Sequence, residues 1–231
     1  MEKIKIIAFD ADDTLWVNEP LFQHTERRFC EMLEDFLPHH TISQELLKIE
    51  IQNLKDYGYG TKSFMLSMIE TAINVSGKAI GVELIEKIIA LGKEQLNAPV
   101  EILAGIPEVL DQLQAQYKLI VATKGDLLEQ EKKLKRSGLA HYFHHVEIVS
   151  EKNEEEYRRI IQHLDIASEN FLMIGNSLKS DVVPVLNIGG YGFHVPYHTT
   201  WEYEKIDIKI ENPRFKRLEN ITETLEHIVS L

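Results

Sequence analysis

The 231-residue sequence predicts an α/β fold in which helices cover both faces of a parallel β-sheet and an all-helical domain is inserted into the chain. Two observations predict this fold. Short apolar runs of strand type alternate with helical patterns in the second half of the chain, as is typical of parallel sheets. Residues 17–98 instead show helical periodicity without any strand-like run. The sequence therefore indicates a core domain of residues 1–16 and 99–231 and a helical domain of residues 17–98.

The strand-like runs and the helices between them can be placed from local signals. Asp126 and Asn153 each precede a helical pattern and carry a glutamate three residues later, which is typical of helix starts. A further helix runs from Ser180 to a glycine stop and has Pro184 in its first turn, where a missing N–H costs little. The predicted strands are KIKIIAFD (3–10), KLIVAT (118–123), VEIVS (146–150), FLMIG (171–175) and YGFHV (191–195).

The pattern of the inserted segment predicts a small helix bundle. Apolar residues recur at helical spacing in four stretches of residues 17–98, and glycines and Pro99 separate or end these stretches. No internal repeat or low-complexity tract interrupts the pattern. We therefore expect four helices that form their own bundle over the sheet.

Charge and composition limit the classes of partner. The chain has 25 Lys+Arg against 37 Asp+Glu, a formal net charge of -12, which repels nucleic-acid phosphates and anionic lipid. We therefore expect neither a nucleic-acid partner nor a membrane partner. The first residues lack the pattern of a signal peptide, so a cytoplasmic location is expected. Cys30 is the single cysteine, which excludes an internal disulfide and a cysteine zinc site.

Three aspartates follow the first predicted strand and indicate a functional site. Asp10 and Asp12 are two residues apart, so in an extended chain their carboxylates face the same side and can converge. Such a concentration of negative charge suggests that a cation belongs there. One carboxylate could then act as nucleophile and ligand while the other acts as acid and base. Asp13 points elsewhere, and a structural role is favoured for it.

Polar residues also follow the other predicted strands. Thr123 can offer a hydroxyl and an N–H to an anionic oxygen, and Lys152 adds a positive charge just before a helix N-terminus. Asn176 and Asp181 in GNSLKSD offer oxygen donors suited to a hard cation such as Mg²⁺. Because ligands bind at the carboxyl ends of parallel strands, these residues are expected at one edge of the sheet.

These motifs together resemble those of the haloacid dehalogenase superfamily. DADDTL matches the D-x-D-x-T motif, and Thr123, Lys152 and GNSLKSD are similar to the second, third and fourth motifs in the correct order. Residues 17–98 resemble the helical cap that such proteins insert after the first motif. The resemblance covers the whole chain and implies a Rossmann-like catalytic core. It is specific for the superfamily and weakly specific for the substrate.

The resemblance also implies a role for each residue. Asp10 would attack a substrate phosphorus to form an aspartyl-phosphate, and Asp12 would protonate the leaving group and later deprotonate the water. Thr123 and Lys152 would bind the phosphoryl oxygens. Mg²⁺ would be held by Asp10, the backbone carbonyl of Asp12, and the fourth motif at Asn176 and Asp181. This sequence departs from the family at Asn176, where the motif usually has aspartate, and the loss of one negative charge predicts weaker Mg²⁺ binding.

The expected function is therefore that of a Mg²⁺-dependent phosphatase. Its substrate would be a small phosphorylated metabolite, such as a sugar phosphate or a nucleoside monophosphate, and the protein would be a monomer or homodimer. The alternatives are a 2-haloacid dehalogenase and a catalytically weak protein that binds phosphorylated metabolites. The histidines of HYFHH (141–145) look metal-binding, but the stretch joins a helix to a strand, so a solvated loop is favoured.

Overall fold

The computed structural model describes residues 4–229 and contains a six-stranded parallel sheet. Residues 1–3 and 230–231, which include the first residue of the predicted first strand, lie outside the described residues. The strand order is β3-β2-β1-β4-β5-β6, so β1 lies between two parallel neighbours, with Ile6 opposite Lys118 and Phe171. The strands are β1 (Ile6–Phe9), β2 (Lys118–Lys124), β3 (His145–Val149), β4 (Phe171–Gly175), β5 (Tyr191–His194) and β6 (Phe215–Arg217).

Two helices begin where the sequence signals place them. The side chain of Asp126 accepts a hydrogen bond from the Glu129 N–H at 3.0 Å, and that of Asn153 accepts one from the Glu156 N–H at 3.0 Å. Both residues are therefore the helix caps that the sequence predicts. The α-helices are α1 (Glu19–Met32), α2 (His39–Tyr57), α3 (Thr61–Val75), α4 (Val82–Asn97), α5 (Ile106–Gln114), α6 (Leu127–Ser137), α7 (Glu154–His163), α8 (Val183–Asn187) and α9 (Thr224–Ile228).

Alternating side chains of the strands bury both faces of the sheet. Ile7 and Phe9 of β1 pack in one cluster with apolar residues of α5, whereas Ile6 and Ala8 pack in another with residues of α7 and Val185 of α8. This period of two places consecutive residues on opposite faces. The predicted α/β, Rossmann-like sheet with helices on both faces is confirmed.

The structure adds two features that the sequence pattern does not reveal. β6 is a strand of three residues without an apolar run, and it pairs with β5 at the edge of the sheet. A π-helical turn, Leu178–Val182, contains the end of the GNSLKSD motif, so the α-helix predicted from Ser180 begins instead at Val183. Such turns are frequent at functional sites.

The chain divides into two compact units. One unit contains the described residues up to Glu19, then Val100–Lys124 and the residues from Gln130 onward; the other contains Pro20–Pro99 and Gly125–Glu129. The second unit has its own apolar core from α1 to α4, in which Cys30 is fully buried and burial raises its pKa to about 12. Within residues 4–229, each helix is too short or too polar to cross a lipid bilayer.

Candidate active site

Asp10 lies directly after β1, at the carboxyl edge of the sheet. Its backbone N–H donates to the carbonyl oxygen of Ile174 in β4 at 2.9 Å, which fixes the residue between two central strands. Its carboxylate accepts hydrogen bonds from Lys152 Nζ at 2.5 Å and from Thr14 Oγ1 at 3.0 Å. The carboxylate is thus oriented by one cation and one hydroxyl group at the end of a buried strand.

Lys152 joins Asp10 to Asp181. Its ammonium group also lies 2.6 Å from Asp181 Oδ1, and all three side chains are almost completely buried. The second oxygen of Asp181 accepts from the backbone N–H of Ser177 at 2.9 Å. A Cβ atom at Gly175 would collide with the Asp181 carboxylate, so glycine at the end of β4 permits this close approach. The structure therefore brings three of the predicted site residues into direct contact.

Burial dominates the electrostatics of this group. Burial, together with the charge of Asp181, raises the pKa of Asp10 to about 7 against the opposing effect of Lys152. For Lys152, burial opposes the charged form, but the two carboxylates outweigh it and raise its pKa above the usual value. The lysine therefore remains an ammonium ion, while two carboxylates share its single charge. A further cation beside these carboxylates would favour the ionised form of Asp10.

Thr14 connects Asp10 to Asn176. Its Oγ1 accepts from the Asn176 N–H at 3.1 Å and lies 3.4 Å from the side-chain oxygen of the same residue. The carbonyl of Asn176 is 2.9 Å from Nε2 of His194, whose pKa is lowered by burial. The neutral imidazole therefore donates to this carbonyl, and its buried Nδ1 has no hydrogen-bond partner among residues 4–229. The loop after β4 is thus fixed from both sides.

Asp12 has different partners. Its carboxylate accepts from Trp16 Nε1 at 2.7 Å, Gln130 Nε2 at 2.8 Å and Lys133 Nζ at 2.6 Å. Burial opposes its ionisation, but Lys133 and these hydrogen bonds outweigh it and lower the pKa of Asp12. Within residues 4–229, Asp10 and Asp12 have separate hydrogen-bond partners. The charge of Asp12 nevertheless contributes to the raised pKa of Asp10, so the two carboxylates lie near enough to interact.

Asp13 has the structural surroundings that the sequence favoured. Its backbone adopts a φ of 61°, in the left-handed region that aspartate tolerates better than most residues. Its carboxylate accepts from the N–H groups of Asn18 at 2.8 Å and Glu19 at 3.0 Å, at the start of α1. Burial raises the pKa of Asp13 to about 7, although these hydrogen bonds oppose the shift. Asp13 therefore closes the turn after β1.

Thr123 lies near the end of β2 and is buried, opposite Ile148 of β3. Its hydroxyl donates to the carbonyl of Lys124 at 3.2 Å. Within the described part of the chain, its side chain has no hydrogen bond to the other five predicted site residues. The structure therefore places Thr123 at the expected sheet edge without joining it to the Asp10 group.

The sequence analysis missed several polar neighbours of the site. Gln130 and Lys133 are three residues apart on α6, which places them on one helix face, but nothing in their spacing points to Asp12. Glu204 accepts from Lys124 at 2.6 Å and from the hydroxyl groups of two serines of the fourth motif, Ser177 at 2.7 Å and Ser180 at 2.6 Å. Glu204 ends a short 3-10 helix, Glu202–Glu204, that carries no recognisable motif, so no local signal identifies it.

The donor set fits a magnesium ion. Asp10 and Asp181 supply carboxylates, Asn176 supplies an amide oxygen, and hard cations prefer such oxygen ligands. The backbone carbonyl of Asp12 accepts no hydrogen bond from another residue of 4–229, so its lone pairs are available to a ligand. Burial and the charge of Asp181 disfavour the ionised form of Asp10, and a bound cation would offset both effects. These residues could therefore hold Mg²⁺.

Comparison with known proteins finds relatives that cover most of the chain. A glyceraldehyde 3-phosphate phosphatase of Pyrococcus furiosus is 25% identical over 200 residues, which cover 82% of this chain and 79% of that protein. The structure of a haloacid dehalogenase-like family hydrolase from Xanthomonas campestris is 38% identical, with a TM-score of 0.89, and the match covers 98% of this chain and 91% of that one.

A 2-haloacid dehalogenase from Pseudomonas syringae shares the fold at 16% identity, with a TM-score of 0.66 and 98% of each chain covered. The fold alone therefore does not separate phosphate chemistry from halide chemistry. The sequence profile of the family described as haloacid dehalogenase-like hydrolase matches residues 4–188. This chain therefore belongs to the haloacid dehalogenase-like hydrolases, as its motifs predict.

Proposed function

We propose that this hydrolase is a Mg²⁺-dependent phosphatase of small phosphorylated metabolites and that Asp10 is its nucleophile. The supporting observation is the buried Asp10 carboxylate, oriented by Lys152 at 2.5 Å and Thr14 at 3.0 Å at the carboxyl end of β1. A fixed carboxylate beside an ammonium group suits attack on an anionic phosphoryl group, because the cation reduces the repulsion between the reactants.

Two displacements on phosphorus complete the reaction. In the first, an oxygen of Asp10 forms a bond to phosphorus while the ester P–O bond breaks, and the departing alcohol takes a proton from Asp12. In the second, water attacks the aspartyl-phosphate, gives a proton to Asp12, and the bond between Asp10 and phosphorus breaks. The nucleophile is regenerated and inorganic phosphate leaves. Covalent catalysis thus divides one difficult step into two easier ones.

The other residues position the phosphoryl group. Lys152 binds its oxygens through the ammonium group, and Thr123 offers a hydroxyl and an N–H at the end of β2. Asp10, the Asp12 carbonyl, Asn176 and Asp181 would hold the metal. When bound, Mg²⁺ neutralises charge on the phosphoryl oxygens. The donor set of oxygen atoms favours this phosphatase chemistry over the alternative 2-haloacid dehalogenase, which needs no metal.

The substrate class follows from the relatives and from the helical unit. The curated relatives named glyceraldehyde 3-phosphate phosphatase are about one quarter identical to this chain, which makes triose phosphates the first compounds to test. Sugar phosphates and nucleoside monophosphates remain the wider class. We propose that residues 17–98 act as a cap domain and select among them.

The Asp10→Asn variant tests this proposal. Turnover of p-nitrophenyl phosphate and of a panel of phosphorylated metabolites is measured with Mg²⁺ and with EDTA. The wild type should be active with Mg²⁺ and inactive with EDTA, and the variant should be inactive in both, because an amide cannot attack phosphorus. Asp165→Asn is the matched control, since Asp165 is exposed and has a φ of 52°, which asparagine also tolerates. A folded Asp10→Asn protein with wild-type turnover would exclude the proposed nucleophile. Metal-independent hydrolysis of 2-haloacids would instead support the dehalogenase.

A further inference from the structure

A second cluster of potential metal ligands lies away from Asp10. His145 begins β3, Glu147 follows it on the same face of the strand, and His163 ends α7. Asp10 lies at the carboxyl edge of the parallel sheet, whereas His145 lies at the amino end of the edge strand β3. The cluster therefore belongs to a different edge of the sheet from the candidate active site.

The ligand atoms of this cluster converge. Nε2 of His145 lies 3.0 Å from Glu147 Oε1, and Nδ1 of His163 lies 2.9 Å from the same oxygen. One ligand atom from each of the three residues lies within 4.8 Å of the other two. Tetrahedral Zn²⁺ with bonds of 2.0–2.1 Å needs its ligands about 3.3 Å apart. Small side-chain movements would therefore create a site of two imidazoles and one carboxylate.

Two further observations favour a ligand site over an ordinary ion pair. The Glu147 side chain is only 19% exposed, and within residues 4–229 its ion-pair partners are the two imidazoles, without a lysine or arginine. The other ring nitrogen of His145, Nδ1, lies 2.8 Å from Nδ1 of His144. A neutral imidazole that donates from Nδ1 to this neighbour leaves Nε2 unprotonated for a metal, as in the supporting contacts of known metal sites.

We propose that His145, Glu147 and His163 bind a divalent transition-metal ion of the Zn²⁺ class, with water as the fourth ligand. Imidazole and carboxylate ligands suit Zn²⁺ and Co²⁺ better than Mg²⁺, so this site is distinct in chemistry from the oxygen-donor site at Asp10. The bound ion links the start of β3 to the end of α7. Since Lys152 lies between these two elements, the ion restrains the segment that carries it.

Cobalt binding tests the proposal directly. Untagged protein is treated with EDTA, saturated with Mg²⁺ and titrated with Co²⁺, whose tetrahedral complexes absorb visible light. We expect one equivalent to bind with such absorption, and we expect the His145→Ala and His163→Ala variants to lose it. Glu147→Gln should weaken binding by at least about tenfold, because the charged ligand is lost. The His141→Ala variant is the control, since His141 is an exposed histidine outside the cluster.

A second measurement distinguishes loss of the metal site from misfolding of a variant. Zn²⁺ should raise the thermal unfolding midpoint of the wild type and of His141→Ala, but not that of His163→Ala, whose exposed side chain is tolerant of replacement. Absence of Co²⁺ binding in the wild type would overturn the proposal. Equal Co²⁺ binding in the wild type and in the His145→Ala and His163→Ala variants would also overturn it. Loss of the visible absorption in Asp181→Asn would overturn it too, because that result would assign the ion to the Asp10 site.

Discussion

Asp12 is held in the ionised form by its neighbours, although a general acid must carry a proton. Lys133 lies 2.6 Å from its carboxylate, and two further donors, Trp16 and Gln130, complete the hydrogen bonding. The lowered pKa of Asp12 suits the activation of water in the second displacement. To protonate the leaving group in the first displacement, Asp12 must itself carry a proton, which requires a weaker interaction with Lys133. The balance between the two proposed displacements thus depends on one lysine.

The Lys133→Met variant is expected to move the pH profile. Loss of the lysine removes the charge that lowers the pKa of Asp12, so this pKa rises. If protonated Asp12 is the acid, activity falls as pH rises through the pKa of Asp12. A higher pKa therefore moves the alkaline limb of the kcat/KM profile to higher pH. The profile with an alkyl phosphate measures this shift. Lys132→Met, at an exposed neighbour, should leave the limb unchanged; an unmoved limb in Lys133→Met would contradict the acid role of Asp12.

Asn176 gives a separate prediction about the metal. Asn176→Asp adds a negative oxygen ligand beside Asp10 and Asp181, and carboxylate charge strengthens the binding of hard cations. The variant should therefore need several-fold less Mg²⁺ for half-maximal turnover. Mg²⁺ titrations of p-nitrophenyl phosphate hydrolysis measure the change. Asn187→Asp, at an exposed helix residue outside the site, is the control. An unchanged or higher requirement in Asn176→Asp would exclude this residue as a metal ligand.

The sequence could place residues at the site when they follow a strand directly. Asp10, Lys152 and Asp181 come after successive strand-like runs, and parallel strands end at one edge, so their proximity follows from the topology. The hydrogen bond from Trp16 to Asp12 could not be predicted, because it depends on the turn that follows β1. Lys133 could not be predicted either, since its contact depends on how α6 packs rather than on local pattern.

At the scale of elements, α3 begins without a capping side chain of its own. Its N-cap residue is Gly60, which has a φ of 107° and no side chain to accept the first N–H groups. The buried carboxylate of Glu129 accepts from the Thr61 N–H at 2.9 Å and from the Thr61 hydroxyl at 2.7 Å. A carboxylate at this position also interacts favourably with the helix dipole. Glu129 therefore supplies the missing cap from outside the helix.

Replacement of Glu129 should destabilise the protein. Glu129→Ala leaves two buried donors of Thr61 without this acceptor, which should cost about 2 kcal/mol in the free energy of unfolding. Urea denaturation followed by circular dichroism measures the loss. Glu131→Ala, at an exposed position of the same helix, should change stability by less than about 0.5 kcal/mol. Similar midpoints for the two variants would show that Glu129 does not act as the cap.

Helices with a periodic pattern over several turns were predicted from the sequence, whereas a very short strand was missed. The four inserted helices each repeat their apolar pattern over several turns, as α2 does over 19 residues. β6, in contrast, has three residues and is stabilised by pairing with β5 rather than by its own pattern. The role of Glu129 was also missed. Its spacing from Asp126 matched a capping box, but its side chain bonds to a residue 68 positions away.

At the scale of the whole molecule, the two compact units have separate apolar cores. Leu46 lies in the core of the helical unit and Leu110 of α5 lies in a core beside the sheet, and both are fully buried. Truncation of a buried leucine to alanine typically costs about 2–5 kcal/mol, because apolar contacts are lost and a cavity remains. Units with separate cores can open separately, so the cost of each truncation should be confined to one unit.

Hydrogen exchange measures in which unit each truncation lowers stability. In Leu46→Ala, amide protection should fall in α2, α3 and α4 while the amides of β1, β2 and β4 keep their wild-type rates. Leu110→Ala is the matched variant, and it should give the reverse pattern because it removes the same side chain from the other core. If either substitution lowers protection throughout both units by a similar amount, the two cores open together. In that case the division into compact units would describe packing alone and not independent stability.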